Sequence, residues 1–517
     1  MMSRTGRNHL FNVAALAGFL VAAADCGGNS TSRQASESIA RTKQTLLQDH
    51  IDVCNADPRV TMGLVSLDIC VGADLFFRET FSGNGRSCAS CHPAGHNFTI
   101  DPAFIATLPA DDPLFIAEND DTLAGLERPA LMRQFGLILE NVDGTESPTT
   151  KFVMRSVPHC FSLSTSVTAQ AVPNDGTTRP PNERTGWSGD GAPNQGELRD
   201  FQTGAVVQHY TKSLSRTPGI DFVLPTSTEL DKIVAFLRTI GRSNELTLSS
   251  VALTDAGADS GRLTFLTPAK RCNGCHNNAG ANVAAAFNRN FDTGVERLRI
   301  DSLNTLGIPF DGGFGGQGLA SFNFDADKDG ILDSFGNGTF NTPPLIEAAD
   351  TGPFFHTNAF DAIEDAVAFY NTTAFTQSPV GNPAPNLTTT EIANLGRFLR
   401  VLNASFNAQL AIARINGVIP IITAERNHFS ELQQTLASLA LTEVNDALAD
   451  LGGVSGLNAS AQTDLTVAQG FLQTAATHSS HTQRLTAAQS ALTSVTSANA
   501  SLGTGMAFTM GQGVLMF

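Results

Sequence analysis

The stretch Cys88-Ala89-Ser90-Cys91-His92 has a second copy in this chain, Cys272-Asn273-Gly274-Cys275-His276. The pattern C-x-x-C-H is the attachment signature of c-type haem, in which two thiols bond to the porphyrin and the adjacent histidine ligates the iron. Disulfides or zinc half-sites are the alternative, but zinc needs further ligands at short spacing, which neither copy has. The sequence therefore predicts two covalently bound haem c groups.

Composition is that of a globular protein and limits the range of partners. The chain has 517 residues, 41% of them hydrophobic, and a formal net charge of −17. This length predicts about two to four domains. The acidic balance argues against nucleic acid as a partner, and it suits either a basic redox partner or a surface that only needs to stay soluble.

The first 26 residues have the features of an export signal peptide. Arg4 and Arg7 precede the apolar run 13–24, which is too short to span a bilayer and ends in an Ala22-Ala23-Ala24 cleavage pattern. Cys26, followed by two glycines, is alternatively a lipoprotein cleavage point and lipid anchor. Because haem c is attached outside the cytoplasm, we expect the protein in the periplasm, in the cell envelope or outside the cell.

Three further cysteines remain to be assigned. Cys54 and Cys70 can form a disulfide in an oxidising compartment. Cys160 is then left over and is predicted to be a small, buried apolar residue.

Two units of the chain, 54–247 and 248–404, look like an internal duplication. Each closes with the pattern T-E-[LI]-x-x-[IL]-x-x-F-L-R, at Thr228–Arg238 and at Thr390–Arg400. The apolar residues of this pattern fall at helical spacing, and a capping box precedes the first copy. A closing helix that lies across the haem-bearing helix is typical of cytochrome c, so we predict a mainly α fold with two cytochrome c-like haem domains in tandem.

Two segments flank these units. Residues 27–53, between the signal peptide and the first unit, are predicted to be a polar tether. Residues 405–517 carry apolar residues at helical intervals, as at Leu432, Leu436 and Leu439, and predict a helical extension, either a hairpin or a small bundle. The sequence does not indicate the role of this extension.

Several stretches beyond the two motifs point to one family. They are Leu75-Phe76-Phe77, Phe81–Gly85, the tryptophan-glycine loop Gly186–Gly191, Thr342–Leu345 and Pro353–His356. Together, over residues 70–403, the chain resembles the bacterial dihaem cytochrome c peroxidase superfamily, which includes the methylamine-utilisation dihaem enzyme and the dihaem rubber oxygenases.

The resemblance implies two unequal haems. The N-terminal haem would activate hydrogen peroxide or dioxygen, and the C-terminal haem would relay electrons from a small redox protein or other electron carrier. Trp187, the only tryptophan, resembles the residue that lies between the two haems in this family. A core aromatic residue is the alternative interpretation.

The sixth ligand of the second iron is methionine in ordinary members of the family. This chain has no methionine between Met154 and Met506. Tyr370 falls at the methionine position, as in the methylamine-utilisation enzyme, and an anionic oxygen ligand would stabilise ferric iron. His356 is the second candidate and would give the bis-histidine ligation of the rubber oxygenases. A buried aromatic with a bonded hydroxyl is the structural alternative for Tyr370.

The predicted pocket over the first iron also departs from the family. A peroxidase needs a polar base there to move a proton between the peroxide oxygens. Phe201 stands where the family has an amide, and Gln208 or His209 lies near the position of the family's glutamate. An apolar pocket with an aromatic residue would be more typical of the oxygenases, whereas His209 as base would still support peroxide cleavage.

An acidic loop predicts a calcium site, with a solvated acidic turn as the alternative. Its candidate ligands are the carboxylates of Asp325, Asp327, Asp329 and Asp333, and Gly330 permits the sharp turn. The glutamate that closes an EF-hand is missing, because Gly336 occupies its place.

Taken together, the residues and the resemblance imply an exported dihaem oxidoreductase that reduces hydrogen peroxide. A dihaem oxygenase or protein-oxidising enzyme is one alternative. A non-enzymatic electron-transfer cytochrome, with both irons six-coordinate, is another.

Overall fold

The computed structural model of the protein describes residues 47–142, 148–167, 183–190, 192–193, 196–284, 287–316 and 319–516. The predicted export signal, Cys26 and residues 27–46 of the predicted tether lie outside the described residues. In the described part of the chain, no helix combines the length and the apolar character needed to cross a membrane.

Helices dominate the described residues, which confirms the predicted mainly α class. The long helices are α1 (Leu67–Arg78), α2 (Leu198–His209), α3 (Ser227–Leu237), α4 (Ala256–Leu266), α5 (Thr389–Ala424), α6 (Glu431–Gly452), α7 (Ala459–Thr477) and α8 (His481–Leu502). Shorter helical segments include 47–56, Pro58–Thr61, Pro102–Ile105, Ile116–Asn119, Pro129–Phe135, Leu163–Ser166, Cys272–Cys275, Asp301–Thr305, Ile363–Ala368 and Thr373–Thr376.

The strands are short and form three small sheets in the described residues. They are β1 (Leu137–Asn141), β2 (Phe152–Ser156), β3 (Ala252–Leu253), β4 (Asn290–Phe291), β5 (Phe310–Gly313), β6 (Ser334–Asn341) and β7 (Gly503–Thr504). β1 pairs antiparallel with β2, with Leu137 opposite Ser156. The second sheet has the order β4-β6-β5, antiparallel and then parallel, and the third joins β3 to β7 in antiparallel fashion.

The two closing helices begin as the sequence predicts. The Thr226 hydroxyl accepts a hydrogen bond from the Glu229 amide (3.2 Å), and the Glu229 carboxylate accepts one from the Thr226 amide (2.6 Å). The same capping box, formed by Thr388 and Glu391, opens α5. These reciprocal bonds satisfy amides that a helix N-terminus leaves without partners, so the start of each closing helix is set locally.

The same helix crossing occurs twice, at a glycine each time. A methyl group on Gly72 of α1 would lie 1.9 Å from the carbonyl oxygen of Lys232 in α3 and 2.9 Å from the Cβ of Phe236. A methyl group on Gly261 of α4 would lie 1.9 Å from the carbonyl oxygen of Asn394 in α5. Only glycine allows backbones to approach so closely. The crossing agrees with the predicted duplication, while the tandem haem domains stay a prediction.

The end of the predicted tether is part of the folded structure. Residues 47–56 are helical, and Leu47 and Ile51 pack on the main core. The predicted disulfide between Cys54 and Cys70 is present and links this helix to α1. The tether prediction is therefore wrong for 47–53, because two apolar side chains among the polar residues are enough to anchor the helix.

The predicted extension is a helical bundle. α5 runs without a break across the predicted boundary at residue 404. α6 and α8 pack against α5, and α7 packs against α6 and α8. After α8 the chain contacts both predicted units again. β7 pairs with β3 of the unit 248–404, and the Gly511 amide donates a hydrogen bond to the Gly241 carbonyl of the unit 54–247 (2.9 Å).

A group of four carboxyl side chains lies where the bundle meets the rest of the chain. This carboxyl cluster consists of Asp350, Glu443, Asp446 and Asp450. Arg414 donates to Glu443 Oε1 (2.5 Å), and Asn407 Nδ2 donates to Asp350 Oδ2 (2.7 Å). Burial, followed by the charges of Asp350 and Glu443, raises the pKa of Asp446 to about 9. Asp446 is therefore protonated in the folded protein at neutral pH.

We expect either Gly72→Ala or Gly261→Ala to lower the free energy of unfolding by about 3 kcal/mol or more, because the added methyl group overlaps a helix backbone. Urea unfolding followed by circular dichroism measures this. Gly470→Ala is the matched control, since Gly470 is exposed in α7 with no atom within 4 Å of an added methyl group. The free energy of unfolding of Gly470→Ala should rise by up to about 1 kcal/mol. If Gly261→Ala were as stable as the wild type, the close crossing of the two helices would be contradicted.

We expect Asp446→Asn to be more stable than the wild type, by a margin that grows with pH. Below the ordinary pKa of aspartate both states are protonated. As pH rises toward about 9, the unfolded chain releases the proton that the folded chain still holds, so wild-type stability falls. The gain should exceed about 1 kcal/mol at an alkaline pH near 8. Urea unfolding across pH tests this, and a pH-independent difference would contradict the protonated state.

Candidate functional site

The first C-x-x-C-H motif follows α1 and is held by a network of backbone contacts. Cys88–Ser90 form a short 3₁₀ helix, and the loop before it is fixed by Asn84, whose Nδ2 donates to the carbonyls of His209 and Thr211 (both 2.9 Å). The Tyr210 hydroxyl donates to Cys88 Sγ (3.2 Å). The C-terminal end of α2 therefore lies directly beside the first motif.

The histidine of the first motif is oriented by a backbone carbonyl. His92 Nδ1 lies 2.8 Å from the carbonyl oxygen of Phe98, which can only accept a hydrogen bond, so Nδ1 carries the hydrogen. Burial is the main cause that lowers the pKa of His92 to about 4. The ring is therefore neutral, with its lone pair on Nε2. Cys160 is buried, as predicted, and its Sγ lies 3.3 Å from the same Nδ1.

The second motif repeats this arrangement with different parts of the chain. Cys272–Cys275 form one helical turn after α4, and His276 Nδ1 lies 3.0 Å from the carbonyl oxygen of Pro343. Burial again lowers the pKa of the histidine to about 4. A carbonyl from the stretch Thr342–Leu345 thus does for His276 what the local Phe98 carbonyl does for His92.

The donor atoms of both motifs fit covalently bound haem. All four thiols are free, whereas Cys54 and Cys70 form a disulfide in the same structure. In the described residues, His92 makes its ring hydrogen bond through Nδ1, which leaves Nε2 for iron, while His276 is held through Nδ1 by the Pro343 carbonyl and also interacts with the backbone of Gly280. A metal-ligating histidine whose other ring nitrogen binds a backbone carbonyl is the usual arrangement at metal centres.

The alternative interpretations of the motifs find no support. Neither C-x-x-C pair forms a disulfide. Among the described residues, no third cysteine, histidine or carboxylate gathers with either pair as a zinc site would require.

The two candidate sixth ligands of the second iron lie in different surroundings. Burial raises the pKa of Tyr370, and the next causes are the thiols of Cys275 and Cys272, which lie near enough to act on its hydroxyl. His356 is buried and packs on the Phe340 ring at 4.3 Å between ring centroids. Its pKa is lowered to about 4, first by burial, and its charged neighbours are Asp311 and Arg155 rather than the motif cysteines.

Trp187 lies between parts of the two predicted haem units. Its Nε1 donates to the carbonyl of Ser156 at the end of β2 (2.9 Å), and its own carbonyl accepts from the Asn341 amide in β6 (2.9 Å). Its ring stands 6.5 Å from the ring of His356, and it packs on the aromatic cluster that includes Tyr370.

The other residues predicted over the first iron lie on α2. The Phe201 ring packs against Gly186, where an added methyl group would lie 2.9 Å from its edge. Gln208 is buried, and its Oε1 accepts a hydrogen bond from the Asn141 amide in β1 (2.9 Å). Gln208 thus fastens α2 to a strand, which leaves His209 as the candidate base.

His209 has neighbours that sequence patterns did not single out. Its Nδ1 lies 3.8 Å from Glu127 Oε1, and Glu127 forms a buried ion pair with Arg86 (2.8 Å). Glu127 and Arg86 are 41 residues apart and match no motif, so their pairing could not be read from the sequence. The contact of Tyr210 with the first motif was also not predicted, although Tyr210 directly follows the candidate base His209 in the sequence.

The predicted calcium loop brings three of its four candidate ligands together. Carboxylate oxygens of Asp325, Asp327 and Asp329 lie within 4.8 Å of one another. Asp333 is outside this group, and its Oδ1 accepts a hydrogen bond from the Ala326 amide (3.0 Å). The four-ligand set is therefore reduced to three, and calcium itself stays a prediction.

Comparisons with known proteins give weak likenesses. No protein-family model and no curated protein sequence matches this chain. Hydrazine synthase from Kuenenia stuttgartiensis, a solved structure, aligns with a TM-score of 0.32 and 16% identity over 65% of this chain and 87% of its own. A MauG-like protein associated with microbial copper homeostasis aligns with a TM-score of 0.31 and 17% identity over 65% of this chain and 89% of its own. At these values the likenesses assign neither a family nor an activity, so the interpretation depends on the residues of this chain.

Proposed function

We propose that this protein is an exported dihaem c-type cytochrome of peroxidase type. It reduces hydrogen peroxide at the haem of Cys88, Cys91 and His92. Electrons come from a small redox protein and pass through the haem of Cys272, Cys275 and His276. The balanced reaction takes one peroxide, two electrons and two protons to two molecules of water.

The paired histidine geometry is the observation that carries the proposal. In each motif the ring is neutral and is fixed through Nδ1 to a backbone carbonyl, and the ring is buried at His276 and partly buried at His92. The arrangement occurs twice, each time at the histidine that follows a C-x-x-C pair with free thiols, as attachment of haem c requires. Haem bound at these residues supplies the iron at which peroxide is reduced.

The chain's own residues supply the proton movement and the separation between the two sites. His209 is placed beside the first motif by Asn84, which holds its carbonyl. There it takes the proton from one peroxide oxygen and returns it to the other, as a general acid–base catalyst does. Trp187 is hydrogen-bonded to the first unit and packed on the second, and this supports a role for it as the electron relay in the proposal.

We expect Tyr370→Phe to raise the reduction potential of one haem by on the order of 0.1 V, because loss of an anionic oxygen ligand destabilises ferric iron. Spectroelectrochemical titration of the purified holoprotein measures this, and electron paramagnetic resonance reports the ligand change. His356→Gln is the control and should leave both potentials in place. If His356→Gln changed a reduction potential and Tyr370→Phe did not, His356 would be the ligand and bis-histidine coordination would be favoured.

We expect the holoprotein to consume peroxide with a reduced small cytochrome as donor, and His209→Gln to lower kcat by about 100-fold or more. His96→Gln is the control, since His96 stacks on Phe104 and pairs with Asp101 beside the same motif. The haem content of each variant is checked first and should be two per chain.

Three outcomes separate the proposal from its alternatives. Turnover that depends on His209 supports the peroxidase. No turnover, with one iron that still reacts with peroxide or dioxygen, would favour an oxygenase or protein-oxidising enzyme. Two inert irons would leave an electron-transfer cytochrome.

A further inference from the structure

One buried carboxylate beside the first motif, that of Glu127, lies between an arginine and the candidate base His209. Glu127 is fully buried, and its Oε1 lies 2.8 Å from Arg86 Nη1 and 3.8 Å from His209 Nδ1. Its Oε2 accepts a hydrogen bond from the Leu139 amide (2.9 Å). Both oxygens are therefore fixed, and one of them faces the imidazole of the candidate base.

Arg86 keeps this carboxylate ionised and in place. The guanidinium also donates to the carbonyls of Pro113 (3.1 Å) and Leu114 (2.6 Å), so its orientation is set by backbone atoms. Burial alone would raise the pKa of Glu127, but the charge of Arg86 and the contact with His209 lower it below its ordinary value. Glu127 thus stays a hydrogen-bond acceptor and does not compete for the catalytic proton.

His209 presents an unfilled donor position toward Glu127. Its Nδ1 is buried and makes no hydrogen bond, while 19% of its side chain is exposed elsewhere on the residue. The 3.8 Å separation is too long for a hydrogen bond and short enough for a small rotation of the ring to make one. Catalytic hydrogen bonds are often this long before substrate is bound.

We propose that Glu127 is the positioning residue of His209. Glu127 accepts Nδ1–H, which fixes the orientation of the ring and places the lone pair on Nε2. His209 Nε2 then takes the proton of one peroxide oxygen and passes it to the other while Nδ1–H stays bonded to Glu127. The two electrons come from the reduced redox protein and two further protons come from solvent, which completes two waters. This inference rests on the proposed peroxidase function.

Charged and titratable groups of the described residues surround His209. The titratable and charged groups that face it or its partner are Glu127, Arg86, Glu140 and His92. Glu127 is the one among them within 4 Å of the ring.

The test is the pH dependence of two reactions of the holoprotein, peroxide turnover and the rate of cyanide binding to the ferric protein. Cyanide binding requires a base to take the proton of hydrogen cyanide, so it reports on His209 without turnover. For Glu127→Gln we expect both rates to fall at least tenfold and the acid limb of both profiles to move to lower pH, because the imidazolium loses its carboxylate partner.

Glu443→Gln is the matched control, since it also removes the carboxylate from a buried arginine pair, that of Arg414 in the bundle. It should leave both profiles in place. Glu127→Asp serves if Glu127→Gln does not fold, because it keeps a charge for Arg86 and withdraws the oxygen from His209. Its profiles should shift in the same direction by a smaller amount.

The outcomes distinguish this inference from the function on which it rests. If His209→Gln slows both reactions and the Glu127 variants keep the wild-type midpoint, Glu127 has no positioning role and the peroxidase proposal stands. If His209→Gln slows neither, the base is wrongly assigned and both proposals fail. A midpoint shift of the same size in Glu443→Gln would also overturn the role of Glu127.

Discussion

The contact of two helix backbones at a glycine is the constraint on which both motif sites depend. α1 and α4 each end shortly before a C-x-x-C-H motif, and each is pressed against its closing helix at Gly72 or Gly261, where no side chain fits. Phe236 and Phe398 sit at the same place in the two crossings. Because the crossing sets the direction of α1 and α4, it also sets where the following thiols and histidine begin.

The two sites reach the same histidine geometry by different routes. The partner of His92 is the Phe98 carbonyl, six residues away, whereas the partner of His276 is the Pro343 carbonyl, 67 residues away. The orientation of His92 is therefore set locally, whereas that of His276 depends on the loop that follows β6. The segment that follows this loop also bonds to the first unit, where the Ser162 hydroxyl donates to Glu347 (2.5 Å) and the Ser156 amide donates to the His356 carbonyl (2.7 Å).

Local patterns were readable from the sequence, and long-range partnerships were not. The motifs, the capping box at Thr226 and the Cys54–Cys70 pair follow from spacing and residue type, and the structure contains them. Gln208 and His209 could not be told apart because adjacent helical residues point in directions about 100° apart, and only the tertiary structure decides which one faces β1. The Glu127–Arg86 pair depends on burial of two distant residues, for which the sequence has no signal.

The carboxyl cluster contacts the loop that follows the first motif, a connection that the composition of the extension did not reveal. Asn97 immediately precedes Phe98, whose carbonyl holds His92. Its Nδ2 contacts the Asp350 carbonyl (3.4 Å), and its side chain also contacts Asp446. The carboxyl cluster and the His92 loop are therefore joined at Asn97.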